Sequence, residues 1–235
     1  MMKSEIKKTE FDLFNKLSEE WWDENGKFKI LHEIRPLRIK YILRQFKAKN
    51  IKNLEILDLG CGGGLVSESL ARLDAKVTGV DFVGNNIKIA KKHAKSNNLE
   101  INYIKSDIEE LNIKKKFDVV ILFEILEHLD DWKFFLSKLN KVVKNNGLII
   151  ISTINKNSLS KFFAIKVAEN ILKWIPKNTH NYEKFIQPEK LINIMEDNNS
   201  KLIDLSGLVF NPISFKWILS KNTKINYFCT FKKIN

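Results

Sequence analysis

Leu54-Glu55-Ile56-Leu57-Asp58-Leu59-Gly60-Cys61-Gly62-Gly63-Gly64-Leu65 is a short apolar run that breaks into glycines and then resumes as a helical pattern. Apolar runs of this length bounded by Gly, Asp or Asn read as buried parallel strands. The same unit recurs downstream: KVTGVD to Asp81, a helix through Lys92, INYIKSD to Asp107, FDVVILFE to Glu124, another helix, and GLIIIST to Thr153. Two last strands are expected near Lys201 to Phe210 and Lys224 to Phe231. The pattern predicts an α/β fold with a doubly wound, mostly parallel, seven-stranded Rossmann-like sheet. Upstream, residues from about Thr9 to Phe46 look helical, with Pro36 suited to a first helical turn, and form a cap. One domain over 1–235 is expected: a cap over 1–50, a cofactor-binding core over 54–153, a helical insertion over 154–200 after the fifth strand, and the last two strands over 201–235.

Glycines between a strand and a helix let the backbone turn sharply and let a ligand lie against it. A dinucleotide fingerprint, G-x-G-x-x-G, would place its last glycine at Leu65, whereas Gly60, Gly62 and Gly64 give G-x-G-x-G. That spacing resembles the first motif of class I methyltransferases, which use S-adenosylmethionine; an NAD enzyme is the alternative. Asp81, closing the second strand, is placed to accept both ribose hydroxyls. Asp58 would orient the loop or meet the methionine amino group, and Asp107 would meet the adenine amine. The competing reading is that these acids cap the helices that follow.

The formal net charge of +12 suits a nucleic acid, a membrane surface or an anionic ligand. A Lys-, Asn- and Ile-rich composition would load the surface with lysine without any such partner. Cys61 and Cys229 are too far apart in sequence to suggest a disulfide framework or a Cys-based metal site. The N-terminus has no apolar stretch resembling a secretory signal, and no apolar run approaches the ~18 residues of a membrane span. A cytoplasmic protein, reversibly associated with membrane, is expected.

The fourth strand runs into Phe123-Glu124-Ile125-Leu126-Glu127-His128. A helix beginning near Glu124 would put Glu124, Glu127 and His128 on one face. Two carboxylates and an imidazole there could hold Mg²⁺, Mn²⁺ or Zn²⁺, or serve without metal, with His128 as general base. Phe123 would lend a ring face to a sulfonium or to adenine, or be an ordinary core residue.

Together with Trp21-Trp22-Asp23-Glu24-Asn25-Gly26-Lys27-Phe28-Lys29 and Leu31-His32-Glu33-Ile34-Arg35-Pro36-Leu37-Arg38, nearly the whole chain resembles the ubiquinone-biosynthesis O-methyltransferase family. The resemblance continues through Ser152-Thr153-Ile154-Asn155-Lys156-Asn157, Ile175-Pro176-Lys177-Asn178-Thr179-His180, Lys184-Phe185-Ile186-Gln187-Pro188 and Gly207-Leu208-Val209-Phe210-Asn211-Pro212. Where the family commonly has Pro after the F-K pair, this chain has Ile30. The resemblance implies methyl transfer to hydroxyls of a polyprenylated catechol or hydroquinone at two steps of one pathway. It also implies S-adenosylmethionine contacts at Arg38, Gly60, Asp81 and Phe123, and metal assistance through Glu124, Glu127 and His128. Other enzymes of ubiquinone biosynthesis are then candidate partners.

Rival readings are a methyltransferase acting on RNA or another small molecule, and a non-catalytic cofactor-binding partner. Exocyclic-amine methylation of nucleic acid is excluded, because no two of Pro36, Pro176, Pro188 and Pro212 are adjacent as that chemistry's loop requires. Nucleic acid is not the expected partner. In the segment from Ser158 to Ile175, Phe163, Ala164, Val167, Ala168, Ile171, Leu172, Trp174 and Ile175 fall on one apolar face. That segment is expected to be a reversible interfacial foot that lets the quinol head reach the site while the tail stays in lipid.

Overall fold

The computed structural model describes residues 11–110, 112–162 and 182–234. Its first strand, β1 (Glu55–Leu59), lies at the centre of the sheet because Ile56, Leu57 and Leu59 are all buried, so both faces need cover. Around it, β2 (Lys76–Asp81), β3 (Asn102–Lys105), β4 (Phe117–Phe123) and β5 (Val143–Ile154) all pair in parallel. The order is β3-β2-β1-β4-β5-β8-β6-β7. Chain direction across the sheet therefore switches between β1 and β4, where this architecture opens a crevice at the carboxyl ends of the strands.

Period-two alternation divides the core. Val120 and Leu122 of β4 join one cluster, covered by α4 (Trp132–Leu139) and α5 (Pro188–Asp197); Val119 and Ile121 join the other, covered by α1 (Lys29–Leu43) and α2 (Leu65–Ala71). α3 (Gly84–Ser96) follows β2 and packs on β3. Thus α1 is a layer of the fold, anchored by Thr230 Oγ1 donating to the fully buried Tyr41 hydroxyl at 2.9 Å. The cap proper is the stretch before it. Pro36 lies in the interior of α1, where its missing N–H leaves the His32 carbonyl without its helical donor, and the helix instead begins at Lys29.

The sheet has eight strands among the described residues, one more than the sequence pattern predicts, and is mixed. β6 (Ser200–Asn211), β7 (Lys216–Ser220) and β8 (Asn226–Lys233) are joined by antiparallel pairings. The extra strand, β7, hides in sequence because Trp217 to Leu219 is too short to separate from its neighbours. Its return loop crosses β6 at Gly207, where a Cβ would lie 1.7 Å from the Asn222 carbonyl oxygen. Four residues at the carboxyl end of β5, Ser158–Lys161, form one helical turn. The rest of the expected foot (163–175) and the Pro176 to His180 element lie outside the described residues.

Gly207→Ala should cost about 1–3 kcal/mol, because the obstructing atoms are backbone, and lower the melting temperature by roughly 2–10 °C. Gly84→Ala, whose Cβ would meet only the side chain of Lys105 at 3.3 Å, should be neutral or stabilising in the same calorimetric scan.

Candidate active site

A cavity of about 260 Å³ opens at the carboxyl ends of β1, β2 and β4, roofed by Phe14, Trp21 and Phe28 of the cap. Arg38, Asp58, Gly60, Gly62, Asp81, Asp107, Phe123, Glu124 and His128 all line it. Gly64 and Glu127 do not. Gly64 precedes α2 behind the turn, against the Tyr103 hydroxyl, and Glu127 is buried beneath the wall.

The glycine turn is pinned from two sides. The Gly60 and Cys61 N–H groups both donate to the Val80 carbonyl, at 2.8 and 3.0 Å. The Gly62 N–H donates to Asp81 Oδ2 at 2.9 Å, while Asp81 Oδ1 accepts from the Val83 N–H at 2.8 Å and Asn86 Nδ2 at 3.2 Å. Asn86 Oδ1 in turn accepts from Trp21 Nε1 at 2.8 Å and Ser18 Oγ at 3.1 Å, so the cap is tied to the carboxylate that holds the turn. The Trp21 ring lies on the glycines: a Cβ at Gly62, which also has φ +53°, would come within 2.4 Å of it. Trp22 sits beyond, donating through Nε1 to the Gly63 carbonyl at 3.0 Å and stacking on His93 at 3.4 Å. Asp81 thus organises the turn and the start of α3, as the capping reading expects, and also lines the cavity.

Burial sets the electrostatics. It pushes the Asp58 carboxyl up to about 6, partly offset by the Ser67 hydroxyl donating at 2.6 Å and by the Arg38 charge. It raises Asp81 as well, against the three donors just named. Burial lowers the Arg38 guanidinium to about 10, opposed by Asp58 and Glu127. Arg38 Nε is buried without a hydrogen-bond partner, and the guanidinium carbon lies 5.2 Å from the Phe123 ring centroid. A pocket offering one buried guanidinium, two buried carboxylates and a glycine-lined wall fits a nucleoside carrying a zwitterionic tail, which is what S-adenosylmethionine is.

The Glu124, Glu127 and His128 group departs from the sequence expectation. Glu124 has φ +52° and starts no helix; the chain makes only a 3₁₀ turn over Leu126–His128. Glu124 is committed to Arg38 through Oε2 and to the Ser152 hydroxyl, which donates to Oε1 at 2.6 Å. Glu127 Oε2 accepts from Thr153 Oγ1 at 2.8 Å, and its Oε1 is buried without a hydrogen-bond partner. Among the described residues no group of three or more His, Cys, Asp or Glu side chains converges as a metal site. In this arrangement the expected trio does not fit a shared divalent ion, because one carboxylate is neutralised by a guanidinium and another faces β5. Asp107 Oδ1 accepts from the Glu109 N–H at 3.0 Å, as the capping alternative expects, while still lining the cavity.

Asn86 carries no signal in the sequence beyond being a polar residue five places after Asp81, whereas Trp21, Ser152 and Thr153 lie in stretches that carry the family resemblance but with no role assigned to them.

Comparison with known proteins gives a match to a family described as "Methyltransferase domain" over residues 57–151. The chain is 46% identical over 236 aligned positions to "Ubiquinone biosynthesis O-methyltransferase" of Pelagibacter ubique, covering 97% of this chain and 98% of that one. It is 44% identical to the protein of the same name from Rickettsia prowazekii, covering 99% and 93%. In fold it is similar to the magnesium protoporphyrin IX methyltransferase of Synechocystis crystallised with bound S-adenosylhomocysteine, at a TM-score of 0.70 and 18% identity, covering 97% and 99%.

The buried Asp58 yields a prediction with a definite sign. Its folded value lies above the ordinary 3.8, so its protonated form favours folding; that contribution is complete below about 4 and is lost as pH rises toward about 6. At neutral pH the ionised group then costs on the order of 2–3 kcal/mol. Asp58→Asn should remove this slope from denaturant melts between those values and match or exceed wild-type stability at neutral pH. Its affinity for S-adenosylhomocysteine should fall.

Proposed function

Since the chain belongs to the ubiquinone biosynthesis O-methyltransferase family, we propose that it transfers methyl groups from S-adenosylmethionine to the hydroxyls of a polyprenylated catechol or hydroquinone. The observation that carries this reading is the cavity itself, in which Arg38, Asp58 and Asp81 surround a glycine wall under an aromatic roof.

When bound, S-adenosylmethionine supplies an electrophilic methyl on a sulfonium. The roles of this chain's residues are part of the proposal. Asp81 accepts a ribose hydroxyl at the one Oδ2 lone pair that its three present donors leave, and a second only where the 3.2 Å contact from Asn86 gives way. Asp58 receives the methionine amino group and Arg38 its carboxylate, for which the unpartnered Nε is suited. Gly60 and Gly62 form the wall, with Gly64 behind them in the turn, Asp107 meets the adenine amine, and Phe123 presents its ring to adenine or sulfur. A phenol with a pKa near ~10 is mostly protonated at neutral pH. His128, half-buried at the cavity wall, takes that proton as the oxygen forms its bond to the methyl carbon and the carbon–sulfur bond breaks. The positive charge thus passes from the sulfonium to the His128 imidazolium, and a roofed, largely apolar pocket favours the step by orienting the reactants away from water.

A divalent ion at Glu124, Glu127 and His128 is what the family resemblance implies, and it would require Glu124 to leave Arg38. A polyprenyl tail partitions into lipid, so peripheral, reversible membrane association belongs to the same proposal, as do contacts with other enzymes of the pathway. No helix among the described residues is long and apolar enough to cross a membrane.

The test is labelled methyl transfer to a short-chain prenylated catechol. His128→Ala should lower kcat by roughly 10²–10⁴ while S-adenosylhomocysteine binds as in wild type. Undiminished turnover would remove His128 as the base. Turnover lost in chelator and restored by Mg²⁺ in wild type but not in Glu124→Ala would assign the ion to the three residues and require the Arg38–Glu124 pair to open. Full turnover in chelator leaves His128 acting alone.

A further inference from the structure

The most exposed large apolar side chains in the described structure stand together at the tip of the β6–β7 hairpin: Ile213 is 91% and Phe215 80% accessible. The tip is ordered from within, since the Asn211 side chain accepts from the Ile213 and Ser214 N–H groups at 2.9 and 3.2 Å. Below it, Phe210 packs on Trp217 at 5.4 Å and on Phe215 at 6.1 Å. Phe215 has φ +51°, a conformation that favours Gly or Asn and penalises a bulky side chain. Neither burial nor backbone preference favours phenylalanine there, so its use points outward from the fold.

Strand direction places this tip on the catalytic side. β8 runs antiparallel to both β5 and β6, so β6 points the same way as β5. Ile154, the last residue of β5, is level with Asn226 and hence with Leu208. β6 then continues to Asn211, about 10 Å further at ~3.3 Å per residue. The hairpin therefore projects beyond the sheet edge into which the cavity opens. No Asp or Glu follows Asp204 in the sequence; Lys216 is exposed at the base of the tip beside Asn211, and Lys221 and Lys224 are exposed in the loop after β7, level with Gly207 and Leu208.

We propose that the β6–β7 hairpin is a membrane anchor that inserts Ile213 and Phe215 into an anionic lipid surface, with Lys216 on the headgroups and Lys221 and Lys224 adding attraction from roughly 10 Å further back. The choice of lipid as occupant rests in part on the prenylated-substrate reading; the apolar tip, the like-signed lysines and the projection past the catalytic edge stand apart from it. A second copy of this chain carries the same lysines and would be repelled. An aromatic base of Phe210 and Trp217 suits the headgroup level, where Trp is enriched. Each inserted side chain contributes roughly a tenfold factor in partition, and each lysine roughly fivefold at low salt.

The experiment is co-sedimentation of the full chain with phosphatidylcholine vesicles, with and without phosphatidylglycerol, at low and high salt. Wild type should pellet with phosphatidylglycerol vesicles, less so in high salt. Ile213→Ser with Phe215→Gly should bind at least tenfold more weakly. Because glycine relieves the positive φ at 215, that variant should fold as well as wild type, bind S-adenosylhomocysteine equally and methylate a water-soluble short-chain catechol at the same rate. Wild type remaining in the supernatant would overturn the anchor, as would a variant that pellets equally. Lipid-free self-association abolished by the variant would overturn it in favour of a second copy, and binding only to an acidic protein would do so in favour of that partner. Wild type that binds vesicles but never methylates catechols would leave the anchor standing and sink the substrate reading instead.

Discussion

A single buried carboxylate holds the site together. Asp81 stands at the end of β2 in a place where ionisation is costly, and it is kept there by the Gly62 and Val83 N–H groups and by Asn86. The turn and the start of α3 share this anion as acceptor, and the cap is linked to it through Asn86, whose Oδ1 accepts from Trp21 and Ser18. Removing a partner from such a network leaves a buried group unsatisfied, which costs more than the bond contributed. The glycines belong to the same constraint, since the Trp21 ring occupies the space that a Cβ at Gly62 or Gly63 would need.

The second constraint is the pairing of Arg38 with Glu124. Arg38 comes from α1, a layer of the sandwich, and Glu124 from the turn after β4, so their pairing ties the packing of the N-terminal helix to the cavity wall. The guanidinium has two claims upon it, the Glu124 carboxylate and any anionic ligand group entering the cavity. That competition is why the acid–imidazole trio reads as a metal site in sequence and as an ion-paired wall in the structure.

What was legible in the sequence was what periodicity and special residues encode. The five parallel strands were marked by apolar runs ending in Gly60, Asp81, Asp107, Glu124 and Thr153, and nine of the eleven proposed site residues do line one cavity. The misplacements have local causes. Pro36 looked like a helix start because proline suits a first turn, yet burial of Ile34, Arg38 and Tyr41 carries the helix through it. Glu124 looked helical from its spacing to Glu127 and His128, whereas its left-handed backbone turns the chain before any helix forms. β7 was missed because an edge strand of five residues pairs on one side only. Nothing in a linear pattern marks Asn86 or Trp21 as partners, since they meet across 65 residues through a geometry the fold creates.

Calorimetric titration of S-adenosylhomocysteine into the Asp81→Ala protein tests most directly whether this carboxylate both organises the site and receives the ribose. The account predicts affinity lower by at least roughly tenfold, as expected for lost charge-assisted hydrogen bonds. It also predicts a lower melting temperature, because the turn loses its acceptor and Asn86, which holds the cap, loses the carboxylate that orients it. Unchanged affinity would contradict the account, and the cofactor site would then have to be sought elsewhere along the cavity.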